Sequence, residues 1–321
     1  MKLTKKLLVL TVILSLALSI FSCGKANEEP LETQVTTELP ETTESPTTEA
    51  ETDPLTYTED PLFAEIVQHM YEDDNYLIFV IGDSLTQGSG ASDPVTLDYT
   101  AQFTKKLAEH MSSKTVYRVD GKPRGDYLGI QYPNTAMHVT VQEGTGDNGS
   151  IIVARCGIGG NTIKSIVARS KDFVGKEIRK QKGDLFIIMT GINDFYSSTY
   201  DITKYVAPPL YKTQFNTLID MIYEKHPDAD IILMTPTFVS KDGKGLDLYA
   251  KAIFQLASER NLPVIDQHKL WMDHWIEGSE NYGQREWLNP PPDGDSCHPS
   301  DIGHEAIADE MIRALFGTKP D

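Results

Sequence analysis

From residue 61 to the end of the chain, short apolar runs alternate with stretches of helical spacing. That alternation constrains the fold more than any other feature. The runs are 76–81 (YLIFVI), 151–156 (IIVARC), 184–190 (DLFIIMT), 230–235 (DIILMT) and 262–266 (LPVID). They are apolar nearly throughout, as strands buried on both faces are. Helical spacing fills 98–111, 161 to about 180, 212–224, 246–260 and 300–316. The last of these places Ile302, Ala306, Ile307, Met311, Ala314 and Leu315 on one side. Strands separated by helices imply right-handed crossovers and a parallel sheet covered on both faces. Residues 61–321 are few enough for one such domain. The stretch 114–150 breaks the rhythm: TVYRVD and MHVTVQEG alternate like half-exposed strands, with Gly and Pro between them. It reads as an inserted hairpin or lobe.

The chain ahead of this body has a different character. Lys2, Lys5 and Lys6 precede a run of 15 apolar or small residues, 7–21, and then Ser22, Cys23 and Gly24. A spanning helix needs about 20 residues, so this run is short for one and suits an export signal. Residues 20–23 (IFSC) resemble a bacterial lipobox, which implies lipid attachment at Cys23; the bland alternative is an ordinary secretory signal with an incidental cysteine. Two or three acyl chains would hold the protein to a membrane. Residues 24–60 carry one basic and eleven acidic side chains, and the rest is largely Thr, Pro and Ser. Such a segment cannot bury enough apolar surface to offset its chain entropy, and it reads as a tether. The expected location is the extracytoplasmic side of a cell membrane, reached only through the lipid. Of the net charge of −18, the body from residue 61 onward carries −11. Its field would repel phosphates, which argues against nucleic acid as a partner.

The candidate chemistry lies just after three of the strands and in one late loop. The first strand runs into Gly82-Asp83-Ser84, and a serine on a tight strand-to-helix turn is exposed where open α/β sheets bind ligands. A helix cap made by Asp83 or Ser84 explains the same residues equally well. The second strand runs into Gly157-Ile158-Gly159-Gly160-Asn161-Thr162, where glycines let a backbone N–H approach a ligand. Neither phosphate-loop pattern fits this stretch. The third runs into Gly191-Ile192-Asn193-Asp194; an Asn amide can donate to an oxyanion, although a turn former is the plainer reading. Near the end stands Asp295-Ser296-Cys297-His298-Pro299. An acid three residues ahead of a histidine can fix its tautomer and leave the other nitrogen as a base. The alternatives are a surface turn or a metal site, for which Cys297 and His304 would be further ligands, but no paired metal-ligand pattern accompanies them.

Together, and in this order, GDSLTQG, the Gly160-Asn161-Thr162 turn, GIND and DSCHP look like the four blocks of the GDSL/SGNH hydrolases. The resemblance spans about 77–317. It implies a flavodoxin-like three-layer α/β/α sandwich with a five-stranded parallel sheet. It also implies Ser84 as nucleophile, His298 as base and Asp295 as orienting acid. The oxyanion hole would be Ser84 N–H, Gly160 N–H and the Asn193 side chain. Gly160 is chosen over Gly159 because family members put the donor glycine just before a polar residue and threonine. The implied enzyme is a serine esterase that needs no cofactor. Cys297 inside the DxxH block and the long 114–150 insertion depart from the family pattern, and the insertion puts the substrate in doubt.

The expected substrate is a small acyl ester, most plausibly acetyl, on a carbohydrate. The acidic body disfavours anionic lipid surfaces, and Trp271, Trp275, Tyr282 and Trp287 precede the DxxH block, where their faces would suit sugar rings. Core packing and loop anchoring explain each aromatic separately. A lipid or general carboxylesterase is the alternative activity, and a catalytically silent glycan-binding lipoprotein the alternative class. Cys156 and Cys297 are both expected near the active-site end. Export would permit a disulfide between them, and two separate thiols are the simpler expectation. Oligomeric state is not legible.

Overall fold

The computed structural model describes residues 56–120, 122–123, 131–132, 138–144, 146–172, 183–200, 206–237, 246–274, 286–288 and 297–318. In chain order the elements are α1 (Pro61–Glu72), β1 (Asn75–Gly82), α2 (Ser84–Gln87), α3 (Tyr99–His110), β2 (Thr115–Asp120), β3 (Lys122–Pro123), β4 (Gln131–Tyr132), β5 (His138–Glu143), β6 (Ser150–Gly157), α4 (Ile163–Asp172), β7 (Leu185–Met189), α5 (Ile192–Tyr200), α6 (Pro208–Lys225), β8 (Asp230–Met234), α7 (Asp247–Arg260), β9 (Val264–Ile265), α8 (Gln267–Asp273) and α9 (Asp301–Phe316).

The main sheet has the order β5-β2-β6-β1-β7-β8-β9. All its neighbours run parallel except β2 and β5. It therefore has seven strands, where five were expected. The five apolar runs form the contiguous set β6-β1-β7-β8-β9. The two extra strands come from the irregular stretch 114–150: β2 joins β6 in parallel and β5 closes the edge antiparallel. A helix covers each side of the sheet, α1 and α3 packing with α9, and α4 and α7 with α6. The result is the three-layer α/β/α sandwich.

The central strands are the most apolar because both faces are covered. Every residue of β7 (LFIIM) is buried, and so is every residue of β1 after Asn75. In α9 the inward face is set by His304, Ile307, Met311 and Leu315, while Ile302, expected on that side, is 52% exposed in the first turn. At the other end of α9, Thr56 Oγ1 donates to Leu315 O (2.8 Å) and Tyr57 N to Phe316 O (2.6 Å). The domain's own contacts thus begin a few residues before α1.

Strand register positions the site. Gly82 of β1 pairs with Gly157 of β6 on one side and Met189 of β7 on the other. The three strands end level with one another. From β1 the chain crosses to β2 on the β6 side, and after β6 it crosses over β1 to β7 on the other side, so the ends flank a topological switch point, where open α/β sheets bind ligands. Residue 23 and the apolar run before it lie outside the described residues. Among the described residues no helix is long and apolar enough to cross a membrane.

Candidate active site

Ser84 is the first residue of α2, and Asp83 is the helix's N-cap, its Oδ1 accepting from Leu85 N (3.1 Å). The cap and the presented serine are thus two parts of one turn. The turn sits directly over the end of β6. A Cβ on Gly157 would lie 2.2 Å from Gln87 N, so only glycine lets α2 approach this closely. His298 arrives from the opposite end of the sequence, on the loop leading into α9. Its Nε2 lies 2.7 Å from Ser84 Oγ. Ser84 is buried and His298 half-buried, so the pair lies just beneath the surface.

The His298 loop is fastened on several sides. Ser300 caps α9 by accepting from Gly303 N, and its own N–H donates to Trp287 O (2.8 Å). Pro299 bridges to Leu288. Trp287 in turn meets Trp271 edge-on at 5.2 Å and stacks on His274 at 3.9 Å. Trp271 is fully buried and Trp287 nearly so. These two tryptophans anchor the loop, and the expectation that they face a sugar is corrected. Trp275 and Tyr282 lie outside the described residues, as does Asp295. The segment after α2 is tied to the same helix: Ser92 donates through N and Oγ to the Asp301 carboxylate at 2.7 and 2.6 Å. His304 accepts from Tyr99 N at Nδ1, so its Nε2 carries the proton and donates to Ser89 O (3.2 Å). Both nitrogens of His304 are engaged, which removes it as a metal ligand. Among the described residues no group of three His, Cys, Asp or Glu is placed to hold a metal ion.

The glycine turn and the GIND turn stand beside this pair. Gly160 is exposed, has φ +73°, and a Cβ there would meet nothing within 4 Å. Gly159 differs, because its N–H already donates to Gln87 Oε1 at 2.6 Å. Asn193 stands in the first turn of α5, and one hydrogen of its Nδ2 goes to Asn161 O (3.0 Å). The other hydrogen of that amide remains for a ligand. The structure thus brings Ser84, His298, Gly160 and Asn193 to one end of the sheet.

Two buried carboxyls flank the site. Burial pushes Asp83 up to about 6, against the opposing pull of Leu85 N–H and of His298. Burial pushes Asp194 up to about 8, although both its oxygens accept from Ile163 N at 3.1 Å. Asp194 therefore caps the start of α4, a role across sequence that its reading as a local turn former did not contain. Cys156 and Cys297 are both thiols. Burial pushes the Cys156 thiol far above its ordinary range, so it stays protonated and inert.

Sequence reasoning missed the ionic cluster beneath the site. Arg155 Nη1 meets Asp98 Oδ2 at 2.5 Å and its Nε meets Asp120 at 2.8 Å; Arg118 bridges the same two carboxylates at 2.8 and 3.1 Å. Arg155 also donates to Gln87 O (2.9 Å) and Pro94 O (3.0 Å), tying the chain after α2 to β6. The available signal was an arginine inside each of two strand-like stretches, VYRVD and IIVARC.

A doubly wound α/β/α sandwich with a hydrogen-bonded serine and histidine at its switch point has the architecture of an α/β serine hydrolase. Residues 78–311 match the model of the family described as GDSL-like Lipase/Acylhydrolase. The chain belongs to that family and is an ester hydrolase. Among solved structures it is similar to an acetyl xylan esterase, AlAXEase, at 18% identity over 74% of this chain and 99% of the other, with a TM-score of 0.52. It is similar to Axe2, an acetylxylan esterase from Geobacillus stearothermophilus, at 23% identity over 75% and 94%, with a TM-score of 0.51. A third is LAE5, an alpha/beta hydrolase enzyme from the metagenome of Lake Arreo, Spain, at 17% identity over 78% and 100%, with a TM-score of 0.51. At these identities the likeness is one of fold. No curated protein matches the chain.

Proposed function

We propose that this ester hydrolase works through Ser84 as nucleophile, His298 as base and Asp295 as orienting acid, and that it removes small acyl groups, acetyl above all, from carbohydrate. The observation that carries the mechanism is the 2.7 Å approach of His298 Nε2 to Ser84 Oγ. With Nε2 accepting the hydroxyl proton, Nδ1 carries the other, and Asp295 is assigned to hold it. Ser84 Oγ bonds to the ester carbonyl carbon as His298 takes its proton. The carbonyl oxygen becomes an oxyanion among Ser84 N–H, Gly160 N–H and Asn193 Nδ2, donors fixed before the charge develops. His298 returns the proton to the departing alcohol. Water then repeats the sequence on the acyl-enzyme, and Ser84 is released with the free acid.

The sugar assignment rests on the acidic body and on a fold shared with enzymes described as acetyl xylan esterases. The chain is further assigned to the outer side of a cell membrane, held there by lipid on Cys23 and a tether that ends before Thr56, where contacts with α9 begin. The test is a chain-length series of esters with one alcohol, together with acetylated xylo-oligosaccharides. Faster turnover of acetate than of octanoate, and release of acetate from the oligosaccharides, is expected. Preference for octanoate with no acetate released would favour the lipid esterase instead.

A further inference from the structure

We propose that Gln87 is a positioning residue for the oxyanion site, its side-chain carbonyl locking the Gly159–Gly160 turn to the helix that carries Ser84. The inference rests on the catalytic reading above and adds to it a residue that touches neither substrate nor reacting atoms. Gln87 is the last residue of α2, one turn after Ser84. Its partner, Gly159 N, is a donor, so the amide must present oxygen to it, and the 2.6 Å contact fixes the side chain's orientation. This bond is a link across 72 positions of sequence, from the serine's helix to the residue just before Gly160.

The rest of the turn is held at its two ends. Ile158 N donates to Gly82 O (3.2 Å), and Asn161 N and Nδ2 both return to Ile158 O. Between those ends Gly160, with its left-handed φ and open surroundings, has no side chain to pack. A backbone N–H so placed aims where its neighbour is held, and Gln87 holds that neighbour. Gln87 is itself braced, because Arg155, locked between Asp98 and Asp120, takes its backbone carbonyl. The chain of fixed contacts therefore runs from the ionic cluster through Gln87 to the turn bearing Gly160. Pre-set donors are what an oxyanion site requires, and a misplacement of about 1 Å can cost up to ~100-fold in rate.

The experiment replaces Gln87 by methionine, which keeps length and loses the acceptor. Turnover of a soluble acetate ester, inhibition by phenylboronic acid and thermal melting are measured on the same samples. Expected for Gln87→Met are a kcat lower by about 10- to 100-fold, a nearly unchanged KM and a boronate inhibition constant weakened in parallel, since the tetrahedral adduct needs the same donors. An unchanged kcat, a raised KM alone or undiminished boronate affinity overturns the proposal. A second lesion reaches the same bond from the other side. A Cβ on Gly159 would lie 2.8 Å from Gln87 Oε1, so Gly159→Ala should displace the amide and lower kcat, yet add nothing to Gln87→Ala. Losses that multiply in the double variant also overturn it. Ser84→Ala separates the two claims. Activity surviving there defeats the catalytic reading and this inference together, whereas an inactive Ser84→Ala beside a normal Gln87→Met defeats this inference alone.

Discussion

Asp83 and Ser84 divide one turn between them, the first satisfying an N–H of α2 and the second offering its hydroxyl to His298. The serine and histidine were legible because each sits in a compact block whose residue types serve one chemistry. Gln87 and Arg155 were not, since their roles depend on which distant segments the fold brings beside them. The aromatics misled for a related reason. A tryptophan in sequence does not say whether its flat face meets solvent or, as Trp271 does, another indole in the core. Asp194 carries a prediction at this scale. A solvated aspartate titrates near 3.8, and burial holds this one near 8. Between those values the native state binds a proton that the unfolded chain has released, so stability from this group is full in acid and is lost as pH rises toward and through 8. Asparagine keeps an acceptor for Ile163 N and cannot ionise. In melts from pH 5 to pH 8, Asp194→Asn should therefore gain on the wild type as pH rises. Parallel curves would show that Asp194 is not buried as described.

Elements with many repeats of one pattern were the readable ones. The buried strands announced themselves by unbroken apolar runs, and α3, α6, α7 and α9 by their spacing. Of the short helices, α2 was signalled only by its turn and cap residues and α8 not at all, since four and seven residues are too few for periodicity to register. The α5 helix opens on GIND, whose Gly, Asn and Asp read locally as a turn. Strands β2 and β5 were recognised as strand-like, but their half-exposed alternation suits an edge, and only pairing decides which sheet that edge extends. The ionic cluster shows why β2 belongs there, since Arg118 and Asp120 of β2 share partners with Arg155 of β6 and Asp98 at the start of α3. Removing Arg155 from this buried cluster leaves two carboxylates sharing Arg118 alone, with one negative charge uncompensated. Arg155→Ala is expected to lower stability by about 3–5 kcal/mol in chemical denaturation. A loss within the range of a surface pair, below about 1 kcal/mol, would mean the cluster is solvated.

Across the whole molecule, site and scaffold have separate origins. The five-strand apolar set builds a switch point that would exist with other residues on its loops, and the proposed chemistry is assigned to the blocks at 82–88, 157–162, 191–194 and 295–299. This is why fold class and ester hydrolysis could both be read from sequence while strand number could not: the two extra strands come from the stretch 114–150, whose alternation does not say which sheet it joins. The described residues fall within the unit Asp53–Asp321, so the proposed chemistry belongs to that part of the chain. In the proposed mechanism Ser84, activated by His298, is the group that becomes acylated. Labelling with a fluorophosphonate, followed by mapping of the adduct on digested peptides by mass, tests it most directly. Expected is a single adduct on Ser84, absent in Ser84→Ala and formed far more slowly in His298→Ala. An adduct on any other residue, or labelling of Ser84 that is indifferent to His298, would contradict it.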